Sequence, residues 1–199
     1  MPSKALYLRE MIIYNSTMII LVGASASGKT EIAKILTRKF GIIKAITHTT
    51  RPMREGEKDG VDYFIVGKDE FLKLADEKFF VETTFYNGNY YGCSKSQVRD
   101  DKAVIVDPNG LKAFLALNDP RVISFYIEAD EKTRYLRMIS RGDSIENALK
   151  RIENDKKAFT PENIGFTHEI IINEDNTLEE AADIIYRKYL GALHSLNVK

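Results

Sequence analysis

The chain has 199 residues, 44% hydrophobic and 29% charged, with 29 basic and 29 acidic side chains. These proportions are typical of one globular α/β domain, with or without an inserted subdomain. The zero net charge argues against a chain-wide basic surface for nucleic acid or membranes, so any anion site has to be local. The single cysteine, Cys93, excludes an internal disulfide and favours a reducing cytoplasm. No apolar run approaches the roughly 18 residues of a membrane span, and no signal peptide is expected.

Short apolar runs that predict buried strands recur along the chain. The first covers residues 18–23 and follows an N-terminal extension, residues 1–17, to which no function is assigned. Three later runs have the same character: residues 103–106, 122–127 and 169–172. Because helical stretches separate these runs, the sequence predicts an α/β fold with a parallel sheet flanked by helices.

The helical stretches carry recognisable end signals. Residues 30–40 have apolar side chains at helical spacing, and Gly41 is placed to end that helix. Asp130 is placed to cap the helix that follows the strand at 122–127. Thr177 and Glu180 form a capping box ahead of a final amphipathic helix.

Residues 47–92 break the alternation of strands and helices. They are rich in turns, charges and aromatic side chains, with only short strand-like pieces. We therefore expect an insertion at 47–92 within a core formed by residues 18–46 and 93–199. A polar helical stretch within the core, about residues 138–151, is expected to form a short lid.

A phosphate-binding motif follows the first strand: Gly23-Ala-Ser-Ala-Ser-Gly-Lys-Thr30 has glycine, four residues, then Gly-Lys-Thr. Backbone N–H groups in such a P-loop surround phosphate oxygens, and the helix that follows points its positive end at the same anion. Lys29 adds a positive charge for the β and γ phosphates, and the Thr30 hydroxyl can ligate Mg²⁺. The motif predicts binding of a nucleoside triphosphate by Gly23, Ala24, Ser25, Ala26, Ser27, Gly28, Lys29 and Thr30. It does not name the acceptor of the phosphate.

Polar side chains suited to a nucleoside monophosphate lie in the insertion. Arg51 and Arg54 are three apart in a turn-prone segment, where two guanidinium groups can grip a phosphate dianion. Tyr63 and Tyr91 offer hydroxyl donors to the same group. Glu82 can accept two hydrogen bonds at once, which guanine donates from N1–H and its 2-amino group and adenine does not. Taken one at a time, such residues are more often surface charges or packing residues.

In combination, these motifs resemble the guanylate kinase family. After the P-loop come Thr-Thr-Arg-x-x-Arg-x-Gly-Glu from Thr49, Gly-x-x-Tyr ending at Tyr63, an isolated Glu82, and Gly-Asn-Tyr-Tyr-Gly ending at Gly92. The resemblance runs from about residue 18 to the last helix. It implies a P-loop NTPase core, an inserted mixed α/β GMP-binding region and a short helical lid. It also implies ATP, Mg²⁺ and direct in-line transfer of a phosphate from ATP to GMP, with monomer and homodimer both open.

The resemblance also implies roles for individual residues. The expected GMP-binding residues are Thr47, Arg51, Arg54, Tyr63, Glu82, Tyr91, Cys93 and Asp107. Of these, Thr47 and Glu82 would read guanine, and Asp107 would lie close to the metal and the acceptor. Asn173 is expected to contact adenine. The expected catalytic cations, which converge on the transferred phosphoryl group, are Lys29, Arg51, Arg137, Arg141 and Arg151.

The match has departures that leave two alternatives open. Cys93 stands where the family usually has serine or threonine, and Ile105 stands where it often has another acid. The lid is also slightly short. One alternative is a P-loop kinase paralogue acting on a related ribose phosphate, against which Thr47 and Glu82 argue. The other is a non-catalytic guanylate-kinase-like module that binds a protein, against which the intact Lys29 argues.

Overall fold

The computed structural model describes residues 18–86, 88–99, 101–117, 122–165, 167, 169–173 and 178–197. The extension at residues 1–17 and Thr177 of the expected capping box lie outside the described residues.

The described strands, in chain order, are β1 (Met18–Val22), β2 (Ile43–Lys44), β3 (Thr47–Thr49), β4 (Tyr63–Ile65), β5 (Phe80–Tyr86), β6 (Asn89–Ser94), β7 (Lys102–Val106), β8 (Val122–Glu128) and β9 (Glu169–Ile172). The helices are α1 (Lys29–Phe40), α2 (Lys68–Asp76), α3 (Pro108–Leu115), α4 (Glu131–Ser140), α5 (Ile145–Ala158), α6 (Pro161–Ile164) and α7 (Leu178–Asn197), with a 3₁₀ turn at Lys95–Gln97. Within these ranges no helix combines the length and apolar character that a membrane crossing requires.

Five parallel strands form the central sheet in the order β2-β7-β1-β8-β9. The predicted α/β fold is confirmed, and the four predicted strands of the core are β1, β7, β8 and β9. The edge strand β2 was not predicted because two residues are too few to form a pattern.

Alternate side chains of β1 pack on opposite faces of the central sheet, as the two-residue period of a strand requires. Ile19 and Leu21 join an apolar cluster with helices α1 and α7. Met18, Ile20 and Val22 join a second cluster with helix α3. Each fully buried aliphatic side chain contributes about 1.5–3 kcal/mol to folding. The central strand that leads into the P-loop is thereby packed on both faces.

The helix ends follow the signals in the sequence. Helix α1 ends at Gly41, which adopts a left-handed φ of 74° and donates its N–H to carbonyls of the last turn. Asp130 caps α4 by accepting a hydrogen bond from the N–H of Thr133 at 2.9 Å.

A second sheet, in the order β4-β3-β6-β5, lies within residues 47–94. Strands β3 and β4 are parallel, whereas β6 is antiparallel to both β3 and β5. The register of β5 shifts between Phe80 and Glu82. Beyond that shift the regular alternation places Glu82, Thr84 and Tyr86 on the face of β5 that borders a cavity.

Candidate active site

A cavity of about 270 Å³ lies between the P-loop (residues 23–30) and the second sheet. On one side it is lined by Gly23, Ser25, Ala26, Lys29 and Thr30. On the other side it is lined by Thr47, Arg51, Arg54, Tyr63, Glu82, Tyr91 and Asp107, with Arg141 and Arg151 also in the wall. The two sets of polar side chains singled out in the sequence therefore border the same space.

A second cavity of about 330 Å³ adjoins the P-loop and shares part of the same wall. Its lining residues are Ala26, Gly28, Lys29, Thr30, Glu31, Arg137 and Arg141. Three P-loop residues and Arg141 border both cavities. A ligand held by the P-loop could therefore extend from one cavity into the other.

Two glycines of the P-loop are required by close approach of other groups. A Cβ at Gly23 would lie 2.3 Å from the carbonyl oxygen of Ile127. Gly28 has a φ of 104°, and a Cβ there would lie 2.0 Å from Nδ2 of Asn173. The Asn173 amide donates to the carbonyl oxygen of Ser27 at 2.7 Å. Asn173 thus lies fully buried behind the loop and lines neither cavity, so its adenine contact stays a prediction.

Lys29 extends along the P-loop. Its ammonium donates to the carbonyl oxygens of Gly23 at 2.6 Å and Ala24 at 2.7 Å. Burial lowers the pKa of Lys29 to about 8, with Asp155 opposing this shift and Arg134 adding to it. A phosphate anion beside Lys29 would raise that pKa again, since it favours the charged ammonium.

Glu82 lies in the opposite wall of the first cavity. Its Oε1 accepts the backbone N–H of Cys93 at 3.0 Å, whereas the buried Oε2 has no hydrogen-bond partner among the described residues. Burial raises the pKa of Glu82 to about 7, and nearby Asp107 adds to the increase. An unpaired buried acceptor is costly, so this side chain is suited to a ligand that brings N–H donors.

Cys93 contributes its backbone rather than its side chain to this wall. The thiol packs in the apolar cluster beside Met18 and Val104 and does not line the cavity. Burial raises the pKa of the Cys93 thiol to about 12. A side-chain contact between Cys93 and GMP is therefore not part of this geometry, although its N–H orients Glu82.

Arginines gather where a phosphate group is expected. Nη2 of Arg51 donates to both carboxylate oxygens of Glu57 at 2.8 Å, and the Arg51 guanidinium lies 5.2 Å from the centre of the Tyr63 ring. Partial burial, together with repulsion from Arg51, Arg151 and Arg141, lowers the pKa of Arg54. An anion bound among these cations would relieve that repulsion.

The expected lid arginines approach the P-loop from α4 and α5. Arg137 donates to the carbonyl oxygen of Ala26 at 3.4 Å. Arg141 caps the end of α4 and pairs with Asp143 at 2.7 Å. Arg151 lies on α5 and lines the first cavity, the one between the P-loop and the second sheet. Arg137 thus lines the second cavity, Arg151 lines the first, and Arg141 lines both.

Asp107 links helix α3 to strand β5 in the wall of the first cavity. Its Oδ1 accepts the N–H of Gly110 at 2.8 Å and so caps α3, and its Oδ2 accepts the Thr84 hydroxyl at 3.0 Å. Asp107 and Thr30 are among the residues of this cavity whose oxygens suit a hard cation. No cluster of three or more His, Cys, Asp or Glu side chains suited to a metal occurs in the described part of the chain.

The family model described as guanylate kinase matches residues 15–188. The chain belongs to the guanylate kinase family. It is 32% identical over 178 residues to a guanylate kinase of Anaplasma phagocytophilum, an alignment that covers 84% of this chain and 83% of that one. It is also 32% identical over 167 residues to a guanylate kinase of Schizosaccharomyces pombe, covering 79% of this chain and 83% of the relative.

A solved structure shows the same fold. The crystal structure of guanylate kinase from Anaplasma phagocytophilum superposes with a TM-score of 0.61 at 24% identity. The match covers 89% of this chain and 86% of that one.

The guanylate kinase motifs do not account for one buried carboxylate at the site, that of Asp155 on α5. It contacts Ser25 of the P-loop, Arg134 of α4 and Tyr86 of β5. Sequence reasoning missed it because an aspartate on a polar helix is usually solvated. One signal was present, since Asp155 continues the apolar stripe of Ala148 and Ile152 at helical spacing.

Proposed function

We propose that this chain is an ATP-dependent guanylate kinase that converts ATP and GMP to ADP and GDP. One observation supports the choice of acceptor above all others. Glu82 lines the same cavity as the P-loop lysine, Lys29, and its buried Oε2 has no hydrogen-bond partner among the described residues. A purine with two adjacent N–H donors, as in guanine, would complete the hydrogen bonding of that carboxylate.

The acceptor is held at both ends in this proposal. Glu82 and the buried hydroxyl of Thr47 bind the guanine edge. Arg51, Arg54 and the hydroxyls of Tyr63 and Tyr91 bind the GMP phosphate. This arrangement fixes the position of the attacking phosphate oxygen, which is the main requirement for a transfer that needs no protein nucleophile.

The donor is held by the P-loop. Its backbone N–H groups and the start of α1 bind the ATP phosphates, and Lys29 neutralises charge on the β and γ groups. Mg²⁺ bound with ATP would further neutralise these phosphates, and the Thr30 hydroxyl and the nearby Asp107 carboxylate are oxygen ligands that suit it. Phosphate oxygens and water would supply the remaining ligands, in agreement with the lack of an all-protein cluster among the described residues.

The transferred group develops charge on its equatorial oxygens. Arg137, Arg141 and Arg151 would stabilise that charge from the lid side of the site. Movement of the lid towards the P-loop would exclude water and limit hydrolysis of ATP. The proposal includes a cytoplasmic location, where a chain with one cysteine and no internal disulfide is usual.

Substitution of Lys29 by alanine tests the site assignment. We expect turnover to fall by at least about 1,000-fold, because Lys29 stabilises the phosphate charge both in bound ATP and in the transition state. GMP binding, measured by calorimetry, should persist. Lys34→Ala is a matched control because Lys34 lies exposed on the same helix and pairs with Glu31. Full turnover of Lys29→Ala would show that the donor site is wrongly placed.

A further inference from the structure

Three parts of the molecule meet at the carboxylate of Asp155, whose side chain is 1% exposed. Its Oδ2 accepts the backbone N–H of Ser25 at 2.8 Å and Nη1 of Arg134 at 2.9 Å. Its Oδ1 accepts the hydroxyls of Tyr86 and, at 3.3 Å, Ser25. Both carboxylate oxygens are therefore satisfied by donors from the P-loop, from α4 and from β5.

Fold stability alone does not explain a carboxylate at this position. Burying a charge is costly unless it is paired, and here the buried Arg134 supplies the pairing. Replacing a buried ion pair with apolar side chains is often neutral or stabilising. An apolar residue would also continue the stripe of Ala148 and Ile152. The polar contacts of Asp155 therefore point to a role at the site.

The contacts of Asp155 link the two substrate regions. Tyr86 lies on β5, the strand whose same face carries Glu82 towards the cavity. Ser25 lies near the beginning of the P-loop, and the bond from its N–H to Asp155 ties this part of the loop to α5. Asp155 also opposes the loss of charge on Lys29 that burial causes.

We propose that Asp155 is a positioning residue for ATP that fixes the P-loop at Ser25 relative to strand β5. The acceptor-binding strand thereby helps to set the shape of the donor loop. The identity of the acceptor rests on the proposed function, whereas the effect on ATP requires only the P-loop. A change on β5 that breaks the link should accordingly weaken ATP binding more than GMP binding.

Tyr86→Phe removes only the hydroxyl that joins β5 to Asp155. We expect the Kd of a non-hydrolysable ATP analogue with Mg²⁺, measured by calorimetry, to rise roughly five- to tenfold, since the lost hydrogen bond is to a charged group. The Kd of GMP should change by a smaller factor. Tyr186→Phe is the matched control, because Tyr186 stacks on Phe40 away from both cavities, and it should shift neither Kd. An unchanged Kd for the ATP analogue in Tyr86→Phe, or an equal or larger effect on GMP, would overturn the proposal.

A second substitution distinguishes a positioning role of Asp155 from a direct effect of its negative charge on the bound phosphates. Asp155→Asn should also weaken the ATP analogue, and Tyr86→Phe added to it should have little further effect, because the two residues act through one contact. Tighter binding by Asp155→Asn would contradict the proposal by showing that the carboxylate only repels phosphate. Additive effects of the two substitutions would contradict it too.

The calorimetric readout separates failures of different kinds. Partial unfolding of a variant lowers the number of binding sites and leaves Kd unchanged. Absence of phosphate transfer to GMP by the unmodified protein would refute the proposed function, while the titrations with the ATP analogue still test Asp155.

Discussion

At the scale of single residues, Glu82 makes the sharpest prediction about pH. Burial raises the pKa of Glu82 to about 7 in the free protein, and the proposed contact with guanine needs the ionised carboxylate. The value of kcat/KM for GMP at saturating ATP should therefore rise with pH through about 7 and then level off. Steady-state rates across that range give the profile.

Glu82→Gln provides the comparison for this profile. It should lose the step near pH 7 and lower kcat/KM for GMP by about 100-fold or more, because an amide presents only one acceptor to two N–H donors. The same step in Glu82→Gln would assign the titration to another group and contradict the role of Glu82.

Residue types with fixed spacing could be predicted from the sequence, and side-chain directions could not. The P-loop and the residues Arg51, Arg54 and Glu82 were found because each motif is contiguous or lies in a fixed order. Cys93 was expected at the guanine site, but its thiol points into the apolar cluster and only its N–H serves Glu82. Which face of a strand a residue occupies depends on register, and the register of β5 shifts just before Glu82.

At the scale of secondary-structure elements, we expect substitution of two glycines by alanine to change the free energy of unfolding in opposite directions. Gly41 ends α1 with a φ of 74°, whereas Gly191 lies within α7. Among the described residues, a Cβ at either position would contact nothing within 4 Å. Gly41→Ala should reduce the free energy of unfolding by about 1 kcal/mol, because alanine is strained in the left-handed region. Gly191→Ala should increase it by about 0.5–1 kcal/mol, because alanine favours a helix. Urea unfolding measures both, and a loss of stability in both variants would contradict the helix boundaries.

The long elements were predictable because each repeats its pattern several times. The four core strands and helix α1 follow the apolar periodicity of the sequence. The pairing of β3 with β4 in parallel and with β6 in antiparallel orientation has no local signal. The contact of Asp155 with Ser25 joins residues 130 positions apart, and no spacing rule along the chain reports it.

At the scale of the whole molecule, the net charge does not reveal the local concentration of positive charge at the cavity. The net charge is zero, yet Arg51, Arg54, Arg141 and Arg151 all border one cavity. The sequence predicted that any anion site would be local, and the fold creates it by bringing the second sheet against the P-loop. The division into a core and an insertion at 47–92 stays a prediction, although strands β3 to β6 form a separate sheet.

The central claim is that this cavity accepts GMP and transfers a phosphate to it. The most direct test measures ADP formation from ATP and Mg²⁺ with GMP, dGMP, AMP, UMP and CMP as acceptors in parallel. We predict activity with GMP and dGMP only, since both present the guanine edge that completes the hydrogen bonding of Glu82. Comparable rates with AMP, or no transfer to any acceptor by folded protein that binds ATP, would contradict the account.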